Sequence, residues 1–134
     1  MKRTAQCQCG SLRAIVSGEP TAVNVCHCKA CQRRTGAVVH SGAYYNKSQV
    51  RPEGPEKVYT RDAQEGRKIS FHFCPDCGSS VYWSADIRPD HFGIAVGCFA
   101  DPGFPIPTYS VWEESKHDWV QLPEDIQRFR QARI

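Results

Sequence analysis

Three cysteines within six positions constrain this chain more than any other feature: Cys26, Cys28 and Cys31, in the segment 25–34. In an extended chain, Cys26 and Cys28 project to the same side and His27 projects away from them. A helical turn that begins after Cys28 brings Cys31 beside it, because residues three apart are neighbours on a helix. The spacing therefore predicts that the three thiols, called the cysteine triad below, converge on one point.

Three converging thiolates are a ligand set that suits zinc, and they leave the fourth tetrahedral position of the ion unfilled. In one interpretation a further protein side chain closes the site, and the zinc is structural. The candidates for that ligand are His27, His40, His72, His91, His117 and Cys98. In the other interpretation the fourth position takes water or a substrate thiol, and the ion acts as a Lewis acid or carries a thiolate. The residues alone leave both interpretations open.

A second cysteine motif lies at 74–78, where the sequence is Cys-Pro-Asp-Cys-Gly. This pattern predicts a knuckle in which backbone N–H groups behind the first cysteine donate to the thiolate sulfurs. A knuckle needs two more ligands, so it pairs with Cys7 and Cys9, pairs with part of the cysteine triad, or binds no metal. The first arrangement is favoured because the triad is already a compact set. Cys7, Cys9, Cys74 and Cys77 would then form a closed, structural four-thiolate zinc site.

The eight cysteines are better interpreted as metal ligands than as disulfides. No apolar run is long enough to cross a bilayer, and polar residues replace the apolar stretch that a signal peptide needs. We therefore expect a cytoplasmic protein, whose thiols stay reduced. The eighth cysteine, Cys98, ends an apolar strand, and we expect it to pack as a small buried hydrophobic side chain.

The charge of the chain does not indicate a nucleic-acid partner. Each zinc ion carries two positive charges, so a four-thiolate and a three-thiolate site together remove three charges from the formal +3 at pH 7. The chain is then close to neutral, and no basic stripe with interleaved aromatic residues compensates. Nothing in the composition indicates a membrane partner either, and the oligomeric state is not predicted.

Alternating apolar and polar residues, interrupted by glycine and proline, predict one mostly-β domain over residues 1–134. A short helix follows Cys31 and stops at Gly36. A second short helix is predicted over 122–130, because a proline and acidic residues precede arginines there. Breaks are predicted at 51–55 and 101–107. Strands are predicted at 4–10, 11–16, 21–25, 37–45, 57–61, 68–73, 79–84 and 91–97.

The order of the cysteine motifs resembles one known family. Cys-x-Cys-Gly at 7–10 is followed by Cys-His-Cys-x-x-Cys-Gln-Arg at 26–33 and Phe-x-Phe-Cys-x-x-Cys-Gly-Ser at 71–79. Together with 96–102 and the later Trp119 and Leu122-Pro123, this pattern resembles the glutathione-dependent formaldehyde-activating enzyme family, also called the centromere-protein-V/GFA (CENP-V) domain. The resemblance extends from about Thr4 to Phe129.

The resemblance implies an Mss4-like fold of stacked antiparallel β-sheets with short helices, held together by two zinc ions per chain. It implies a structural zinc on Cys7, Cys9, Cys74 and Cys77, and a catalytic zinc on Cys26, Cys28 and Cys31.

The activity that the resemblance implies is that of a carbon–sulfur lyase. In it a zinc-bound thiolate adds reversibly to a small aldehyde, as in the formation of S-hydroxymethylglutathione. The small-molecule partners would be a thiol such as glutathione and a small aldehyde. Because thiolate ligands are electron-rich, thiol activation is favoured over hydrolysis. The alternative is a non-catalytic two-zinc module that binds a protein partner.

Three basic residues follow the cysteine triad or lie within it: Lys29, Arg33 and Arg34. They could anchor the carboxylates of a glutathione-like ligand beside the metal. Equally, they could be solvated charges on the surface of a short helix. Both interpretations remain open from the sequence.

Overall fold

The computed structural model describes residues 1–133, which contain eleven β-strands and one α-helix together with short 3-10 turns. The predicted mostly-β class is confirmed. In the same residues no helix is long and apolar enough to cross a membrane. The helix is α1 (Lys29–Thr35). The strands are β1 (Lys2–Gln6), β2 (Arg13–Ser17), β3 (Ala22–Cys26), β4 (His40–Asn46), β5 (Val50–Glu53), β6 (Lys57–Asp62), β7 (Lys68–Phe73), β8 (Ser80–Ala85), β9 (Arg88–Ala95), β10 (Tyr109–Val111) and β11 (Gln127–Arg128).

The described chain forms two compact units, the first from residues 1–21 and 43–104 and the second from residues 22–42 and 105–133. Each unit draws on two separate stretches of sequence, and strand β4 runs from the second unit into the first. The single domain that the sequence predicts over residues 1–134 stays a prediction.

The first unit contains an antiparallel three-stranded sheet in the order β1-β2-β5 and a run of strands in the order β4-β9-β8-β7-β6. Phe71, Trp83 and Ala95 form a buried apolar cluster on the second of these. Gly93 lies opposite Trp83 in the ladder, and a Cβ atom at Gly93 would come within 2.2 Å of the indole. Only glycine at this position lets the indole pack directly on the neighbouring strand.

The second unit has the strand order β11-β10-β3-β4. Strand β10 pairs in parallel with β3 on one side and with β11 on the other. The pairing of β1 with β2, of β2 with β5 and of the strands from β6 to β9 is antiparallel, and β10 adds parallel pairing at this edge. Parallel pairing arises here because β10 is reached from β3 through a long excursion of chain rather than through a tight hairpin.

The predicted hairpin of β6 and β7 is confirmed, and so is the irregular, proline-rich segment at 101–107. The ends of the other predicted strands differ from the observed ends by a few residues. The break predicted at 51–55 is wrong over its first part, since β5 occupies Val50–Glu53 and pairs with β2. Pro52 is tolerated there because β5 is the edge strand of its sheet.

The helix predicted over 122–130 is also wrong. Strand β11 lies there instead, and the N–H groups of Gln127 and Phe129 donate to the carbonyls of Thr108 and Ser110 at 3.1 and 2.9 Å. A helix of nine residues is marginal on its own propensity, so pairing with β10 decides the conformation. Arg128 adds side-chain bonds to Glu113 at 3.1 and 3.2 Å.

Candidate metal centres

The structure brings the cysteine triad together. The Sγ atoms of Cys26, Cys28 and Cys31 all lie within 4.8 Å of one another, so they could hold a metal ion. Cys26 is the last residue of β3, and Cys28 is the N-cap of α1. The Cys28 sulfur accepts a hydrogen bond from the backbone N–H of Cys31 at 3.3 Å, which caps the helix and fixes the spacing of the two thiols. Gly36 caps the C-terminus of helix α1, and glycine is the residue that readily adopts its φ of 70°.

No further His, Cys, Asp or Glu joins this group in residues 1–133. His27 is fully buried, and its Nε2 atom lies 2.8 Å from Ser110 Oγ. Cys98 lies in the first unit, where it packs against the apolar cluster of Phe71 and Trp83. The described chain thus offers the triad three sulfur ligands and no fourth side chain of these types.

The three thiols oppose one another's ionisation. Hydrogen bonding with Cys28 and with Cys31, together with burial, raises the pKa of the Cys26 thiol far above its usual range. The pKa of Cys31 is also raised, because Cys28 and burial outweigh the lowering by its bond with Cys26, and Arg34 offsets a part of the rise. Three adjacent thiolates need a cation between them, and a divalent ion supplies that charge. The chemistry of the donor set therefore fits a thiophilic metal.

A glutamine side chain ties the triad segment to a distant part of the second unit. Gln32 Nε2 donates to the carbonyls of His27 at 2.9 Å and Ser115 at 3.1 Å. Its Oε1 atom lies 2.9 Å from His117 Nε2, which donates because an amide oxygen can only accept. Both amide N–H groups and the amide oxygen of Gln32 are thereby engaged, and the start of α1 is held against residues 115–117.

A series of hydrogen bonds between polar side chains connects the triad segment to β10. Ser110 is fully buried, and its hydroxyl donates to Glu113 Oε2 at 2.6 Å, so the remaining lone pairs accept from His27 Nε2–H. Burial lowers the pKa of His27, so the imidazole is neutral. Glu113 in turn binds Arg128. The histidine between two triad cysteines is thus a structural anchor.

The three basic residues of α1 have different surroundings. Lys29 and Arg33 are exposed, as expected of solvated charges. Arg34 is half-buried, and its Nη2 atom donates to Nε2 of the buried His40 at 3.3 Å. Burial, then the charge of Arg34, lowers the pKa of His40 to about 4.

The second cysteine group lies in the first unit and is formed by Cys7, Cys9, Cys74 and Cys77, whose Sγ atoms are all within 4.8 Å of one another. The Cys9 sulfur is 3.6 Å from that of Cys7 and 3.7 Å from that of Cys74. Tetrahedral Zn–S bonds of about 2.3 Å place sulfur atoms about 3.8 Å apart. These distances suit one ion bound by four thiolates, and we call this set the four-cysteine group.

Backbone and hydroxyl donors surround the four-cysteine group. The N–H groups of Asp76 and Cys77 point at the Cys74 sulfur at 3.4 and 3.5 Å, in the knuckle that the sequence predicts. The N–H of Leu12 donates to Cys7 Sγ at 3.2 Å. Hydrogen bonds from Ser79 lower the pKa of Cys77 to about 5. Such donors stabilise the thiolate form that a metal ion requires.

Sequence reasoning identified the two cysteine groups but missed the residues that support the triad. Gln32 directly follows Cys31, and this adjacency was the one available signal of its role. Ser110 and Glu113 lie more than 80 positions after Cys26. Nothing in their local sequence indicates that Ser110 bonds with His27, between two cysteines of the triad.

Comparison with known proteins supports the resemblance seen in the cysteine motifs. The family model of the glutathione-dependent formaldehyde-activating enzymes (GFA) matches residues 2–115. The crystal structure of a protein from Rhodobacter sphaeroides is 24% identical, with a TM-score of 0.54, and the alignment covers 76% of this chain and 90% of that chain. At this identity the similarity shows a shared fold. No curated protein matches the chain.

The family match includes both the triad and the four-cysteine group, and it spans most of the chain. The chain belongs to the glutathione-dependent formaldehyde-activating enzyme (GFA) family.

Proposed function

We propose that this protein is a zinc-dependent carbon–sulfur lyase of the glutathione-dependent formaldehyde-activating type. Its reaction is the reversible addition of a small-molecule thiol, such as glutathione, to a small aldehyde. The observation that carries the proposal is the cysteine triad, with three sulfur ligands within 4.8 Å and no fourth side chain of a ligand type in residues 1–133. A cytoplasmic location, where thiols stay reduced, suits both cysteine groups.

The two groups have different roles in this proposal. The four-cysteine group would hold a structural zinc ion, because four thiolates leave no position for a substrate. Cys26, Cys28 and Cys31 would hold the catalytic zinc ion. An ion in the triad supplies a Lewis acid that lowers the pKa of an incoming thiol.

The chemistry requires few other groups. A bond forms between the thiol sulfur and the aldehyde carbon, the carbonyl π bond breaks, and the proton lost by sulfur ends on the new hydroxyl oxygen. The chain's own residues hold the ion and keep the triad segment rigid. Gln32 holds the start of α1, and His27 fixes the strand end through Ser110. A rigid ligand set favours one geometry for the incoming thiol.

The alternative, a non-catalytic two-zinc module that binds a protein partner, would be favoured by a protein ligand that closes the triad. None of the histidines considered in the sequence, nor Cys98, belongs to the triad group in residues 1–133. This finding favours the enzyme.

Thiols and aldehydes also combine reversibly without a catalyst. Turnover is therefore measured at equilibrium, as an increase in the rate of exchange between the free compounds and their adduct. Magnetisation-exchange NMR with ¹³C-formaldehyde and glutathione gives the rate at which S-hydroxymethylglutathione forms and breaks. We expect the zinc-loaded protein to accelerate this exchange, Cys28→Ser to lose the acceleration, and Cys98→Ser, outside both cysteine groups, to keep it. Exchange no faster with the wild-type protein than with Cys28→Ser would contradict the proposal.

A further inference from the structure

We propose that the outer edge of strand β6 is an interaction surface for a second copy of this chain. In the dimer, β6 of each copy pairs antiparallel with β6 of the other around a twofold axis at Thr60, so that one sheet continues through both copies. The inference concerns the first unit alone, and it does not depend on the binding of a metal ion, a thiol or an aldehyde.

Strand β6 is the longest and most exposed of the four edge strands in residues 1–133. Five of its six residues are exposed, among them Val58 at 51% and Tyr59 at 60%. The other edges are less accessible to a new strand. Strand β11 has only two residues, β5 contains Pro52, and β1 packs against the turn at Val96–Phe99. Exposed apolar residues on a long edge strand favour pairing with another strand.

The backbone of β6 presents alternate residues to its outer edge. The N–H of Ala63 donates to the carbonyl of Arg67 at 2.6 Å, in register with the β6–β7 ladder. In agreement, Lys68, which lies opposite Asp62 in that ladder, bonds with Asp86 on its other side. Backbone groups of successive residues point to opposite sides of a strand. The residues of β6 whose N–H and C=O groups point outward are therefore Val58, Thr60 and Asp62.

Symmetry limits the registers in which two copies of β6 can pair. Residues directly opposite in an antiparallel pair lie on the same face of the sheet, so the twofold axis passes between two copies of one residue. An axis at Tyr59 would oppose Lys57 to Arg61, and an axis at Arg61 would oppose two arginines. Like charges in these positions are destabilising. An axis at Val58 would leave half of β6 beyond the strand of the second copy.

An axis at Thr60 avoids these conflicts. It places the two copies of Thr60 opposite each other, Val58 opposite Asp62, and Tyr59 opposite Arg61. Threonine pairs are favourable across strands, and a tyrosine ring opposite a guanidinium allows a cation–π contact. The outward backbone groups of the two strands then face one another and can form about six hydrogen bonds in three pairs. Charge and backbone pattern thus favour the same register.

The contacts that β6 already makes are compatible with this register. Lys68 Nζ lies 2.7 Å from Asp62 Oδ1 and compensates that carboxylate, so Asp62 can lie opposite an apolar side chain. Arg61 Nη1 donates to the carbonyl of Asp62 at 3.3 Å. That bond would be exchanged for one with the backbone N–H of Val58 in the second copy. An interface between two edge strands is small, so we expect a weak dimer that forms at high protein concentration.

The test is sedimentation equilibrium of the zinc-loaded protein over a series of concentrations at low ionic strength. Val58→Lys and Val58→Asp form a matched pair at an exposed site, and each places its charge directly opposite Asp62 of the second copy. We expect the wild-type protein to be in equilibrium between monomer and dimer. The dissociation constant should decrease about threefold or more in Val58→Lys and increase by a similar factor in Val58→Asp. Raising the salt concentration should reduce both changes.

Ile87→Lys and Ile87→Asp are the control pair, because Ile87 is 48% exposed and lies in the turn between β8 and β9. These two variants should dimerise as the wild-type protein does, and circular dichroism checks that all four variants are folded. A wild-type protein that stays monomeric at every concentration would overturn the inference. A dimer whose dissociation constant is the same in Val58→Lys and Val58→Asp would also overturn it, since the copies would then meet through another surface. Neither result bears on the proposed reaction.

Discussion

The Nε2 atom of His27 lies 2.8 Å from the Oγ atom of Ser110, a residue 83 positions further along the chain. This bond joins the segment between Cys26 and Cys28 to β10. Since β10 also pairs in parallel with β3, the end of β3 is held by both backbone and side chain. The geometry of the cysteine triad therefore depends on residues far from it in sequence.

Ser110→Ala tests this anchor. The substitution leaves the buried His27 Nε2–H without its acceptor and Glu113 without one donor, so we expect unfolding to become easier by about 1–3 kcal/mol. Denaturant titration of the zinc-loaded protein measures the change. Ser48→Ala, at an exposed serine, is the matched control and should be near neutral. A Ser110→Ala protein as stable as this control would show that the chain of polar contacts contributes nothing.

Gln32→Ala should loosen the triad without removing a ligand. The variant loses bonds to the carbonyls of His27 and Ser115 and to the His117 ring. We expect the less tightly held zinc ion to bind about tenfold more weakly, measured by chelator competition. Gln64→Ala, at an exposed glutamine of the first unit, serves as the control. Unchanged affinity in Gln32→Ala would mean that the triad is rigid without this side chain.

Cys28→Ser and Cys74→Ser should differ in their effects on folding. Structural zinc contributes about 10–16 kcal/mol of apparent binding free energy in small domains, so loss of a ligand from the four-cysteine group should strongly destabilise the protein. Cys28→Ser should leave most of the stability intact. Thermal unfolding followed by circular dichroism compares the two. Similar losses of Tm in both variants would contradict the division into a structural and a catalytic site.

The carboxylate of Glu113 gives a prediction about the stability of the protein at low pH. Burial raises its pKa, but bonds with Ser110 and with Arg128 outweigh this and hold the pKa below its ordinary value of 4.5. A carboxylate with a lowered pKa stabilises the fold above its ordinary pKa, and that stability is lost as the pH falls through the lowered value.

The difference in the free energy of unfolding between the wild-type protein and Glu113→Gln should therefore be largest at pH 7 and should decrease below about pH 4.5. Denaturant titrations of both proteins at a series of pH values measure it. A difference that stays constant or grows on acidification would show that Glu113 is not held in its charged form by these contacts.

The parts of the fold that the sequence predicts correctly are those specified by local chemistry. The positions of Cys28 and Cys31 follow from helix geometry, and Gly36 ends α1 because it adopts a positive φ. The β6–β7 hairpin follows from alternating residues on either side of a polar loop.

The parts that it misses depend on contacts between distant segments. Residues 122–130 have the composition of a helix start, but pairing with β10 outweighs that weak preference. The role of Gln32 depends on Ser115 and His117, which follow it by more than 80 positions. Hydrogen bonds of this kind leave no periodicity in the local sequence, so pattern reasoning cannot anticipate them.

The central claim is that a metal ion held by the cysteine triad would take a substrate thiol as its fourth ligand. The most direct measurement is the visible absorption spectrum of the protein loaded with cobalt(II), because ligand-field bands of tetrahedral cobalt change with its ligands. The spectrum is titrated with glutathione and, as control, with S-methylglutathione, which has no thiol. We predict a shift with glutathione alone. No shift with either compound, in a protein that holds two cobalt ions, would contradict the claim.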